Sequence, residues 1–285
     1  MNGVAMKKLK SSEEPQTVEG VQYHIKCKPG DVAPYVLLPG DPGRVPRISR
    51  HWEVRREVAR NREYVTHTGT YIGAPISATS TGIGGPAASI AVEELLRIGA
   101  HTLIRVGTTG AIREEVRIGE LVIISGAVRL DGASKQLVRP EYPAAASYEV
   151  QMALIQAAEE LGASYHLGVV ASTDSFYTGQ ARPGYRGYRQ SWMKSLIPDL
   201  RAAGVLSFEM EASAILTMAS VYGARAGGVC AVVANRATGE FVEDAGVEDA
   251  IKVANEAVKI LHSWDKLKKE KGKKHFYPAL QKHPA

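Results

Sequence analysis

The chain has 285 residues, 45% of them apolar and 23% charged, with a formal net charge of +5. This length carries a full hydrophobic core, and the composition is that of a soluble globular protein rather than a disordered or fibrous one. No apolar run reaches the ~20 residues of a membrane span, the first twenty residues lack the apolar stretch of a signal peptide, and Cys27 and Cys230 stand far apart with no CxxC spacing. A cytoplasmic protein with neither a zinc site nor a disulfide framework is expected.

In chain order, Tyr35 to Leu38 is a short apolar run that ends at Pro39-Gly40, as a buried strand entering a loop does. Tyr64 to Ser80 reads as two strands turning at Gly73-Ala74-Pro75. Pro86 suits the first turn of a helix that places Ile90, Ala91, Leu95 and Ile98 on one face and stops at Gly99. His101 to Val106 is a strand, Gly107 to Gly110 its loop, and Leu121 to Ser125 a further strand. Ser147 is placed to cap a helix with Val150, Leu154, Ala157 and Leu161 inward, ending at Gly162. His166 to Ala171 is a strand, and 178–190, rich in Gly, Arg and Tyr, has no period and reads as a long loop or lid. Phe208 to Tyr222 reads as a helix closed by Gly223, and Gly228 to Ala234 as a strand of small and β-branched residues. A last helix carries Ile251, Ala254, Val258 and Leu261 at helical spacing.

Strands that alternate with helices and are apolar on both faces predict an α/β fold with a mixed or parallel sheet covered on both sides. One domain over 21–265 is expected between an N-terminal tail, 1–20, and a basic tail, 266–285. Lys266, Lys268, Lys269, Lys271, Lys273, Lys274 and Lys282, set against Asp265 and Glu270, account for the whole formal excess of charge. The body is therefore near neutral. The tail reads as a solvated end, with a patch for RNA or a partner as the alternative, and no nucleic-acid binding is expected of the body.

Walker, GxGxxG, HExxH and GxSxG signatures are absent. What remains is a set of glycine-rich turns at strand ends, several beside an arginine. Glycine lets backbone amides approach an anion, arginine offers a fork that matches phosphate, and ligands of open α/β sheets bind at the carboxyl ends of strands. Pro39-Gly40-Asp41-Pro42-Gly43-Arg44, Arg105-Val106-Gly107-Thr108-Thr109-Gly110 and Asn61-Arg62-Glu63-Tyr64 fit that description. Each alone could be an ordinary turn with a surface arginine. Arg105 is harder to dismiss, because it lies in the apolar run Leu103-Ile104-Arg105-Val106, where its head needs an anion or an opening. Asp41 or Glu63 is the structural candidate for that partner.

Seven ordered segments resemble the bacterial-type uridine phosphorylases of the nucleoside phosphorylase family: LLPGDPGRV (37–45), NREY (61–64), STGIGGP running on to RVGTTGAI (80–112), VRLDGAS (128–134), ASTDSFYTGQ (171–180), FEMEAS (208–213) and VVANRATGE (232–240). The resemblance covers about 22–262. It implies the three-layer nucleoside phosphorylase fold and a pentosyltransferase that cleaves uridine with phosphate into uracil and ribose 1-phosphate, in nucleoside salvage. A broad-specificity or purine nucleoside phosphorylase is the alternative. A water-using hydrolase of the same fold is disfavoured by the phosphate arginines, and a non-enzymatic binding protein would rest on the basic tail alone.

The roles implied by the resemblance are these. Gly40, Arg44, Arg105 and Thr108 bind phosphate, with Arg62 entering from a neighbouring subunit. Thr108, Glu209, Met210 and Glu211 hold the ribose, with His24 from the same neighbour. Phe176, Gln180 and Arg182 face the base, supported by Arg236 through water, and Arg105, Glu211 and Arg236 form the catalytic set. A homohexamer built as a trimer of dimers is implied, with no membrane partner. The Gln180 amide can accept from uracil N3–H and donate to a carbonyl, whereas cytosine would set donors against donors. Purine-cleaving relatives carry an aspartate where Arg236 stands. No cofactor is expected beyond phosphate as co-substrate. A potassium site found in some relatives is doubtful here, since Glu63 and Ile83 match its ligands but Ala87 replaces a serine. The lid Arg182-Pro183-Gly184-Tyr185-Arg186-Gly187 also departs from the family form.

The plain alternatives are structural. Glu209-Met210-Glu211 could be a helix start with acids at its positive end, Gln180-Ala181-Arg182 an exposed polar loop, and Phe176 a packing residue.

Overall fold

Alternation along the strands divides the interior into two layers. In the computed structural model, which describes residues 9–282, the elements run β1 (Tyr35–Leu38), α1 (Arg44–Ser49), β2 (Val54–Asn61), β3 (Tyr64–Tyr71), β4 (Ala74–Thr79), α2 (Gly85–Arg97), β5 (Thr102–Ala111), β6 (Leu121–Arg129), α3 (Ala133–Leu137), β7 (Ala144–Ala145), α4 (Tyr148–Leu161), β8 (Tyr165–Ser172), α5 (Met193–Ala202), β9 (Ser207–Glu209), α6 (Ala212–Val221), β10 (Arg225–Asn235) and α7 (Val247–Glu270). Short 3-10 turns lie at Thr178–Gln180, Tyr185–Gly187 and Pro278–Lys282. Tyr35 and Leu37 of β1, with Ile104 and Val106 of β5, join a core beneath α1, α4 and α7. Val36, Leu38 and Leu103 point the other way, into a core shared with α2 and α6. This two-residue period is what a sheet buried on both faces demands.

Ten strands form one mixed sheet in the order β10-β6-β8-β9-β5-β1-β4-β3-β2, with β7 against β6. β1 runs parallel to both β4 and β5, and β5 parallel to β10. Because β5 also meets β9, the path β5-β10-β6-β8-β9 closes on itself. The expected three-layer α/β architecture is therefore present.

Several local expectations change. Gly107 to Gly110 is not a loop: β5 continues through Ala111 and pairs with β10 to Asn235. Phe208 and Glu209 belong to β9, and the helix begins only at Ala212. β2 was not predicted at all. It is an edge strand whose first four residues are exposed, so no apolar alternation marks it. Ser147 precedes α4 but does not cap it through its side chain: its Oγ accepts from the Ala226 amide of β10 at 3.0 Å.

The basic end is not simply solvated. α7 extends to Glu270, Lys268 is buried, Phe276 stacks on Trp264 with ring centroids 3.9 Å apart, and Leu280 is buried in the same core. Lysine-rich sequence hid two apolar anchors. The parts of the two tail expectations that fall on 1–8 and 283–285 lie outside the described residues.

Candidate active site

The segments that follow β1 and β4, the ends of β5 and β10, and the β9–α6 junction converge on a cavity of about 720 Å³. β1 delivers Gly40 and Arg44, β5 delivers Arg105, Gly107 and Thr108, and the junction delivers Glu209, Met210 and Glu211. The loop after β8 closes one side with Phe176, Gln180 and Arg182. Sequence reading thus places ten of its thirteen site residues at one cavity wall; His24, Arg62 and Arg236 are not among the residues lining it.

Arg105 is 4% exposed. Its partners are not Asp41 or Glu63, as the sequence suggested, but two glutamates. Arg105 Nε lies 2.8 Å from Glu209 Oε2 and its NH2 2.5 Å from Glu211 Oε2. Burial is the largest influence and opposes the Arg105 charge, but Glu211, Cys230 and Glu209 together outweigh it and hold the guanidinium above its ordinary range. The Nε approach is out of line for a hydrogen bond, so Arg105 Nε and NH1 lack protein hydrogen-bond partners, as does Arg44 Nε. Arg44 donates through NH1 to the Val106 carbonyl at 3.1 Å. Burial, and then the Arg105 charge, push Arg44 below its ordinary pKa. Among the described residues only five buried side-chain nitrogen or oxygen atoms lack a partner, and three belong to these two arginines. Buried donors are otherwise almost always satisfied, so three beside one cavity are exceptional and leave charged N–H groups without an acceptor from the protein.

The two glutamates differ. Glu211 accepts from the Gly84 amide through Oε1 at 2.5 Å and is 4% exposed. Burial raises its pKa, and Arg105 pulls against that shift. Glu209 is surrounded by protein donors: Ser172 Oγ on Oε1, and the Glu211 and Ala212 amides on Oε2, each at 2.8 Å. The helix-start reading of these acids is therefore right for Glu209, which caps α6 from outside it. With its lone pairs so occupied, Glu209 is poorly placed for the ribose contact suggested by resemblance.

At the other end of the cavity, the Gln180 amide is buried, so this is not an exposed polar loop. Its Nε2 donates to Thr173 Oγ1 at 3.1 Å and its Oε1 accepts from Arg182 NH1 at 2.5 Å. One N–H and one lone pair remain on that amide. Arg182 also donates to the Phe176 carbonyl at 2.6 Å and lies 4.0 Å over the Phe176 ring, which is 42% exposed and not core packing. Burial, with Arg236 adding, pushes Arg182 down to about 10. Arg236 stands behind the wall and donates directly to the Gln180 carbonyl at 2.8 Å, fixing the turn in which Ala181 has φ of 56°.

His24 and Arg62 sit together elsewhere. His24 Nδ1 is 2.7 Å from Glu94 Oε1, its carbonyl accepts from Asn61 Nδ2 at 2.7 Å, and Arg62 lies exposed at the β2–β3 turn, 5.7 Å from the neighbouring Tyr23 ring. Glu63, Ile83 and Ala87 border the cavity, and Ala87 brings a methyl where a hydroxyl would be needed. Among the described residues no group of three His, Cys, Asp or Glu is placed to hold a metal, and no helix is long and apolar enough to cross a membrane.

Sequence reading assigned no role to Ser172, Thr173 and Asp131, although it quoted their motifs. Asp131 is fully buried and accepts from Ser134 and Ser213. A buried aspartate among small hydroxyl residues was the available signal.

Residues 34–263 match the model of the phosphorylase superfamily. A uridine phosphorylase of Thermococcus kodakarensis is 60% identical over 97% of this chain and 99% of its own length. One of Treponema pallidum is 42% identical, over 86% of this chain and 95% of its own. A guanosine phosphorylase of Halorubrum lacusprofundi is 36% identical, over 84% and 99%.

Proposed function

The chain belongs to the phosphorylase superfamily, and we propose that it catalyses reversible phosphorolysis of uridine to uracil and ribose 1-phosphate. The observation that carries this reading is the set of unpaired N–H groups on Arg44 and Arg105 at the cavity wall, beside the strand-end segment Gly107–Thr108. Phosphate held there attacks C1′ of the ribose as the C1′–N bond breaks, and the bonding pair leaves with the base. No protein nucleophile is needed. The arginines contribute orientation and electrostatics. Glu211 offers its carboxylate to the ribose diol and to positive charge developing on the ring. Gln180 and Arg182 receive uracil, Arg182 facing the charge that accumulates on the leaving base, while Arg236 steadies Gln180 from behind.

Arg62 and His24, adjacent to one another and off the cavity wall, support a homo-oligomer in which they complete a neighbour's site, with a hexamer of three dimers as the assembly. We place the enzyme in the cytoplasm, with phosphate as co-substrate and no cofactor. The guanosine-cleaving relative keeps a purine activity in view as the second reading. The test is base release from uridine, thymidine, inosine and guanosine, with and without phosphate. Uridine is expected to react, and only when phosphate is present. Equal release without phosphate overturns phosphorolysis, and faster release from guanosine overturns the base assignment.

A further inference from the structure

Glu209 is the most heavily bonded carboxylate at the cavity, and both of its oxygens already accept from protein donors. Oε2 accepts from the amides of Glu211 and Ala212, each at 2.8 Å, and the Arg105 guanidinium lies against it as an ion pair, Nε at 2.8 Å. Oε1 accepts from Ser172 Oγ. The Glu209 side chain is 0% exposed.

Two proposed substrate groups hang from this one carboxylate. Arg105 is the arginine assigned to phosphate. Glu211, assigned to ribose, stands at the residue before α6 with its amide tied to Glu209. Glu211 Oε2 returns to Arg105 NH2 at 2.5 Å, so the three residues form a closed triangle, its third edge the Glu211 main-chain amide, with Glu209 as the corner whose side chain is fully buried.

The corner is itself fixed from behind. Ser172 Oγ, while donating to Glu209, accepts from the Ser213 amide at 2.9 Å. Ser213 Oγ donates to Asp131 Oδ1, which also accepts from Ser134 Oγ at 2.7 Å, and Ser134 Oγ accepts from Arg129 Nε at 3.0 Å. Ser172, Ser213, Asp131 and Ser134 are each 0% exposed. Buried polar chains of this kind rigidify when fully satisfied and fail as a unit when one member is removed.

We infer that Glu209 and Ser172 are positioning residues for phosphorolysis: they touch neither phosphate nor sugar, and they set the distance between the phosphate-holding Arg105 and the ribose-holding Glu211. This rests on the phosphorolysis reading above. It also gives a role to Ser172 and to Asp131 with Ser134 of VRLDGAS, none of which lines the substrate pocket.

The experiment uses the full-length chain and its Glu209→Gln and Ser172→Ala variants. Inorganic phosphate binding is read by calorimetry, KM for uridine and kcat by uracil release, and melting temperature by calorimetric scan. Glu209→Gln keeps the shape but removes the charge beside Arg105. Ser172→Ala removes one donor and keeps the charge, and it serves if Glu209→Gln does not fold. Loss of the carboxylate charge paired with Arg105, or of the Ser172 hydrogen bond that holds that carboxylate in place, predicts phosphate affinity weakened about tenfold and kcat lowered by a similar factor, with KM for uridine changed much less. A raised KM for uridine at unchanged phosphate affinity would make Glu209 a sugar ligand and overturn the inference. A lowered melting temperature with phosphate affinity and kcat intact would reduce both residues to fold support, which also overturns it. If the wild-type chain neither binds phosphate nor releases uracil, the phosphorolysis reading fails instead, independently of the variants.

Discussion

Two ionic clusters, each with two cations and two anions, flank the central strands, one at the beginnings of β5 and β10 and one where Arg105 of β5 meets the β9–α6 junction. Near the beginnings, Arg225 and Lys268 meet Glu149 and Asp265. Arg225 reaches Glu149 at 2.7 Å, Asp265 at 2.6 and 2.9 Å, and Thr102 Oγ1 through Nε and NH2. Lys268 Nζ reaches Glu149 at 2.6 Å and Asp265 at 2.9 Å. The Phe276 amide donates to the other Glu149 oxygen, and the Tyr35 hydroxyl shares Asp265 Oδ2 with Arg225. At the cavity, Arg44 and Arg105 face Glu209 and Glu211, but three guanidinium nitrogens are left without hydrogen-bond partners. The difference lies in geometry rather than in net charge. A saturated cluster holds the chain together. An unsaturated one, in a cavity, keeps donors available for an anion, at a cost that the ligand offsets.

The comparison breaks most visibly at Arg105. Arg105→Met strands two buried carboxylates, so a loss of about 3 kcal/mol in stability is expected together with a fall of about 10³ in kcat/KM for uridine. Steady-state kinetics and thermal melting check both, and a fall below tenfold in activity would contradict the assignment. The saturated cluster predicts the opposite split. Phe276→Ala removes the ring stacked on Trp264 and loosens the segment that caps Glu149. It should cost about 3 kcal/mol of stability, read by denaturant unfolding, with kcat/KM within about twofold of wild type.

A pH series gives the finest separation. Burial raises Glu211, so the ionised form proposed to hold ribose is lost as pH falls through a value above its ordinary one. Asp265 is held below its ordinary value of 3.8: burial works against this, but the Arg225, Tyr35 and Lys268 hydrogen bonds outweigh it. Its contribution to stability is present above that ordinary value and is lost as pH falls toward the folded-state value. Activity should therefore disappear on acidification before the fold does, as parallel kcat/KM and circular-dichroism profiles would show. Simultaneous loss would mean that Glu211 is not the limiting group.

Much of this was legible in the sequence, and the failures have physical reasons. An arginine inside Leu103–Val106 advertised the site, because an apolar strand does not bury such a head without purpose. Gly107 to Gly110 looked like a loop because Gly and Thr carry no apolar period. There the strand needs small residues: a Cβ on Gly107 would lie 2.7 Å from Arg105 Cζ and 2.8 Å from Cys230 Sγ. β9 is three residues long, too short to show a period before α6 begins. Glu209 could not be told from Glu211 by spacing, since what separates them is the hydroxyl of Ser172, 37 positions away. The lysine-rich end concealed Phe276 and Leu280, whose partners lie in α7 and α4 rather than nearby in sequence.

The unpaired N–H groups of Arg44 and Arg105 are the proposed phosphate site. Calorimetric titration of inorganic phosphate into the wild-type chain and into Arg44→Met tests it most directly. Binding to the wild type is expected, weakened about tenfold or more in Arg44→Met, with the melting temperature in the absence of phosphate little changed. Equal phosphate affinity in the two proteins would contradict it.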